Sequence, residues 1–137
     1  MQKVGLFMKK ELGWTIITNI SIILVFYIAT YLIFRFVFDV RGIYPIYTPG
    51  WTGRHFLLYA AVTSIVPMLF GWLKFPYITF TGFLLGNLFG EVFGGFQSHL
   101  PPQFLHFGWL ICIMVFLVSC IVGVFFELRL KKRKVKL

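Results

Sequence analysis

Gly82-Phe83-Leu84-Leu85-Gly86-Asn87-Leu88-Phe89-Gly90-Glu91-Val92-Phe93-Gly94-Gly95 is the segment from which the rest of the chain can be read. Glycines fall at 82, 86, 90 and 94, so a helix carries them as one smooth ridge. In an apolar segment such a ridge admits another helix backbone at close range. Two uses fit it: packing against the other helices of the same chain, or association between copies. Asn87 and Glu91 lie four apart on an adjoining face. Among the chain's four acidic residues, Glu91 is the one deep inside an apolar segment.

The composition surrounds this segment with more of the same chemistry. The chain has 137 residues, 59% hydrophobic and 12% charged, where a soluble domain is about 25% charged. A soluble protein of this balance would expose large apolar patches. The reading is therefore an all-α polytopic integral membrane protein, one domain over residues 1–137. The formal charge of +9 would point to nucleic acid in a soluble chain. Here the cations flank apolar runs, so membrane topology accounts for them and no nucleic-acid partner is expected. Cys112 and Cys120 share one apolar run at a spacing that suits neither a redox pair nor zinc, and both read as small buried residues. The first apolar run is too long for a secretory leader and lacks a small-x-small cleavage site, so no cleaved leader is expected.

Four spans follow in order. Residues 1–13 form either a short amphipathic surface helix or a frayed basic lead-in. The first span covers about 14–38, longer than the roughly 20 residues needed to cross the hydrocarbon. Asn19-Ile20-Ser21 within it matches a glycosylation pattern that burial in a span makes a false positive. The loop from Asp39 to Arg54 is rich in Pro, Gly and aromatic residues and is turn-forming, with a lid over the bundle as one possible use. The second span covers about 55–75, with Pro67 in its middle predicting a kink, and Thr63 and Ser64 placed to satisfy freed backbone groups. Lys74-Phe75-Pro76 is a tight turn into the third span, about 77–96. The fourth span covers about 104–126, and a basic tail occupies 127–137.

Orientation follows from the cations. With both termini in the cytoplasm, ten of the thirteen basic residues lie on the cytoplasmic side: Lys3, Lys9, Lys10, Lys74 and the six of the tail. Arg35, Arg41 and Arg54 lie outside. The four-helix bundle is N-in and C-in, with the plasma (inner) membrane as the expected location. The six cations of the tail suit anionic lipid headgroups.

The same orientation groups the remaining ionisable residues at the outer ends. Glu91 lies about 21 Å along its helix from the cytoplasmic end, and so about 9 Å below the outer boundary. A carboxylate at that depth is expensive and usually faces a cavity or a partner. The candidate ion- or substrate-binding set is Glu91 with Asn87, Arg35 and Arg54. A structural ion pair with either arginine, or a carboxylate reaching to the interface, are the alternatives. His55, His99 and His106 come from different helix ends and are weak metal candidates, lacking any short ligand spacing. No cofactor is expected. Signatures of hydrolases, metalloproteases and nucleotide-binding loops are absent from the sequence, so an enzyme is not the expected class. The expectation is a small transporter- or channel-like protein in which copies associate as a homo-oligomer, with Glu91 taking a cation or proton. The alternative is a non-catalytic accessory or assembly subunit of a larger membrane complex.

Overall fold

The computed structural model describes residues 2–38, 56–94 and 108–134; for residues 2–12, 37, 38, 91 and 134 it describes the backbone alone. Every regular element among the described residues is helical. Helix α1 runs Gln2–Ile33 and continues as a π-helical turn over Phe34–Phe38. The basic N-terminal stretch is thus one helix with the first apolar run. Polar side chains in α1 return their hydrogen bonds to its own carbonyls. Thr18 donates to the Trp14 carbonyl, Ser21 to Ile17 and Thr30 to Phe26, at 2.8 to 3.0 Å. This lets hydroxyls sit in an apolar helix without an unsatisfied group.

Helix α2 covers Leu57–Ile65 and tightens into a 3-10 turn over Val66–Phe70. Pro67 does not kink a long span; it stands in the first turn of the tighter segment. Its missing N–H and ring bulk break the α-helical ladder, and the chain turns out four residues later at Gly71. Gly71 takes φ 77°, a left-handed conformation that favours glycine. The described part of α2 is about 24 Å long.

Helix α3, Phe75–Phe93, starts two residues before the expected span, with Pro76 in its first turn. Lys74 is the N-cap residue yet supplies no side-chain cap. The orphan donors are met from far away in sequence. Glu127 Oε1 accepts the N–H of Lys74 in a short hydrogen bond and that of Phe75 at 3.1 Å. Glu127 is only 5% exposed. It is therefore not the first residue of a solvated tail, as its neighbours in sequence suggest. A carboxylate at a helix N-terminus gains from the helix dipole as well as from the two donors. Helix α4, Gly108–Lys134, carries most of the basic tail as continuous helix.

α3 and α4 are an antiparallel pair in close contact. A Cβ added to Gly86 would stand 2.8 Å from the Cys112 carbonyl oxygen, so the two backbones touch there. One added to Gly82 would run into the Ser119 side chain. From the other side, one added to Gly123 would stand 2.8 Å from the Phe75 ring. Gly90 and Gly94 are buried further along α3. α3 also packs against α1 and α2, which makes it the helix common to the described packing. The core joins Ile23 and Tyr27 of α1, Ala60 and Met68 of the second segment, Phe83 of α3, and Cys112 and Phe116 of α4.

The outer faces are apolar as well. Val25, Ile121 and Phe125 are 60%, 69% and 65% exposed. Two helices, Gly13–Phe36 and Gly108–Arg133, are long and apolar enough to cross a membrane. The expected loop 39–54, the loop 97–103, and residues 135–137 lie outside the described residues.

Glu127→Ala is expected to cost about 1–2 kcal/mol by stripping the start of α3 of its cap. Glu127→Gln, which keeps one oxygen acceptor, should lose clearly less; thermal unfolding in mild detergent ranks the three proteins. Gly86→Leu is expected to cost about 3 kcal/mol or more, because a backbone carbonyl cannot step aside. The same unfolding assay should show it among the least stable variants.

Candidate functional site

The inner face of α3 carries Thr79, Phe83 and Asn87 at steps of four residues, and the backbone position of Glu91 follows one turn beyond. Thr79, Phe83 and Asn87 are 0%, 0% and 8% exposed. Polar groups therefore occupy two levels, about 12 Å apart along the helix, with an aromatic ring between them.

The lower level is a chain of three hydroxyls, one from each of α1, α2 and α3. Thr79 Oγ1 donates to the carbonyls of Phe75 and Pro76, both at 3.1 Å. Thr79 Oγ1 also shares a hydrogen bond with Ser64 Oγ at 2.7 Å. Ser64 Oγ in turn shares a hydrogen bond with Tyr27 OH at 2.8 Å, and Tyr27 OH lies 3.2 Å from the Ala60 carbonyl as a donor. Each hydroxyl has one proton, and two orders satisfy all three: from Tyr27 through Ser64 to Thr79 and its carbonyls, or from Thr79 through Ser64 to Tyr27 and the Ala60 carbonyl. Ser64 was expected to satisfy backbone freed by Pro67; its hydroxyl instead links three helices. Burial makes this network costly to break at any one member.

Phe83 closes the space above it. Its ring lies 5.9 Å from Tyr27, 6.0 Å from Phe56 and 6.5 Å from Phe34, centroid to centroid. Phe56 also meets Phe116 of α4 edge-on at 5.3 Å. Rings from all four helical segments converge on this level, each pair in the offset or tilted geometries that aromatic quadrupoles prefer.

The upper level begins at Asn87, whose Nδ2 donates to the Phe83 carbonyl at 2.8 Å. Glu91 is helical in its backbone, and its side chain lies outside the described ones. Arg35 sits on the π-helical turn, where its guanidinium donates to Tyr31 OH at 2.7 Å and lies 6.0 Å from the Tyr31 and Phe36 ring centres. Arg54, His55, His99 and His106 lie outside the described residues. Of the expected binding set, then, Asn87 and Arg35 are described with side chains, with Asn87 on the Phe83 carbonyl and Arg35 on the Tyr31 hydroxyl.

The opposite end has polar ties that sequence reading missed. Tyr77 OH donates to Asn19 Oδ1 at 2.6 Å, and Asn19 Nδ2 donates to the Thr15 carbonyl at 2.8 Å. Lys131 Nζ lies 5.4 Å from the centre of the Trp72 ring. The only hints in the sequence are that Asn19 and Glu127 are polar residues in or beside apolar runs. Comparison with protein-family models, with characterised proteins and with solved structures finds no match to this chain.

Ser64→Ala should destabilise the protein by about 1–2 kcal/mol, since it leaves Tyr27 and Thr79 without their shared partner. Tyr27→Phe combined with Ser64→Ala should cost less than the sum of the two. A double-mutant cycle on detergent unfolding checks both statements.

Proposed function

We propose that this chain is a small integral membrane protein of four spans, with both termini cytoplasmic, and that it is transporter- or channel-like, with Glu91 as its cation- or proton-binding carboxylate. The observation that carries the reading is the inner face of α3. Two polar levels, Thr79 and Asn87, lie on one stripe and are separated by the aromatic plug around Phe83. A transport pathway needs polar stations inside an apolar body and a barrier between them. Glu91 is one turn beyond Asn87 towards the outer end, where a charge can be reached from water.

The orientation draws support from the way one end of the bundle gathers cations. Glu127 holds the α2–α3 turn that bears Lys74, and Lys131 stands over Trp72 of the same turn. Lys74 and the basic end of α4 thus share one end, which suits the cytoplasmic side. The apolar outer faces of α1 and α4 then meet lipid, and the anionic headgroups of that leaflet meet the basic end. The use of Gly82 and Gly86 against α4 leaves copies to associate in a homo-oligomer through other faces.

A second reading is a non-catalytic accessory or assembly subunit of a larger membrane complex. The observation on its side is that Phe83, Phe56, Phe34 and Tyr27 fill the space between the helices. Ion flux into vesicles reconstituted with the full chain separates the two. Imposed gradients of protons, sodium and potassium should each be tried. The transport reading expects flux above that of empty vesicles, a fall to the empty-vesicle level in Glu91→Gln, and a rise in Phe83→Ala as the plug is removed. Flux that is absent for all three cations, or untouched by Glu91→Gln, would leave the accessory reading in its place.

A further inference from the structure

Beside the polar face of α3, on its outer side, an open groove of about 770 Å³ runs between α1, α3 and α4 at the basic end of the bundle. Its mouth carries Asn19, Lys74 and Tyr77, and its walls include Ile78, Val122 and Phe126. A second groove of about 380 Å³ shares Tyr77, Ile78 and Val122 with it and continues along the α3–α4 seam to Leu85 and Val118. From Tyr77 to Leu85 is about 12 Å of helix rise. Together they form one channel on the surface: polar and cationic at one end, apolar along its length.

We propose that this groove is a binding site for one phospholipid with an anionic headgroup, its phosphate at Lys74 and Asn19 and one acyl chain along Ile78, Val122 and Leu85. Three observations choose that occupant. Lys74 is exposed at the mouth, and Oε1 of the nearby Glu127, a buried residue, accepts the backbone N–H groups of Lys74 and Phe75. With Lys131 held at the same end over Trp72, two cations stand beside this one buried carboxylate, so the described charges at the mouth sum to a positive value. The Asn19 amide is pinned by Tyr77 and the Thr15 carbonyl, which fixes its orientation. An Asn Nδ2 carries two N–H groups, so one remains to donate to a phosphate oxygen. Finally, the polar-to-apolar order of the lining repeats the order of a lipid. The mouth lies where the apolar runs meet Lys74 and the basic end of α4, which is headgroup depth if these helices span a membrane. The inference rests on the membrane part of the reading above, and does not need transport.

The test is native mass spectrometry of the full chain released from nanodiscs holding equal parts phosphatidylglycerol and phosphatidylcholine. One phosphatidylglycerol retained per chain, in preference to phosphatidylcholine, is the expected result. Lys74→Glu with Asn19→Leu should lower its retention about fivefold or more, as one lost cation contact at a charged surface implies. Val122→Trp, which fills the groove and leaves every charge in place, should lower it as well. Lys132→Gln with Arg133→Gln, outside the groove, should leave it nearly unchanged. Equal retention of both lipids would overturn the site, and so would loss of lipid only in the Lys132/Arg133 variant. A dimer without retained lipid would show that a second copy covers the groove instead. Recovery of the chain in the soluble fraction without detergent would overturn the membrane reading itself.

Discussion

The carboxylate of Glu127 accepts the first backbone donors of α3, and this one contact sets where α4 lies against it. The constraint behind it is strict. Where water is scarce, a helix start with unsatisfied N–H groups costs several kcal/mol. Lys74 brings no cap of its own, and Pro76 has removed one donor outright. The N–H groups of Lys74 and Phe75 are met by a residue more than fifty positions away, which pins the end of α4 to the start of α3. From that anchor the two helices run antiparallel at glycine range. Gly123 admits Phe75, Gly82 admits Ser119, and Gly86 touches the Cys112 backbone.

With α4 on one side, α3 turns its other face inward to α1 and α2. That face alternates Thr79, Phe83 and Asn87. The hydroxyl chain at Thr79 ties three helices together and is buried beneath the aromatic plug. Asn87 stands on the other side of the plug, with Glu91 a turn further out. The same low dielectric that makes these polar groups expensive makes them specific.

Much of this plan was legible in the sequence. Of the glycines spaced four apart, Gly82 and Gly86 stand at a close contact with α4 of the same chain, a partner that the spacing itself does not name. The apolar runs foretold helices, and two of these are long and apolar enough to cross a membrane. Pro67 predicted a kink within one long span; the helix instead tightens there and ends at Gly71 four residues on. Other features were illegible for a physical reason: they join residues distant in sequence. Glu127 opens a run of six cations in the sequence and reads as part of a solvated tail until its partner at Lys74 is seen. Tyr27, Ser64 and Thr79 are ordinary residues in apolar helices until three faces converge. Glu91, Arg54 and the three histidines are known here as positions, or as helix backbone, rather than as a built site.

The central claim is that polar levels on α3 face opposite sides of a plug at Phe83. The most direct measurement is labelling of single cysteines at 79, 83, 87 and 91, in a chain whose Cys112 and Cys120 have been replaced by alanine, with a membrane-impermeant maleimide added from outside. The account predicts reaction at 87 and 91, none at 79, and new reaction at 79 when Phe83 is also made alanine. Equal labelling at all four positions, or none at 87 and 91, would contradict it.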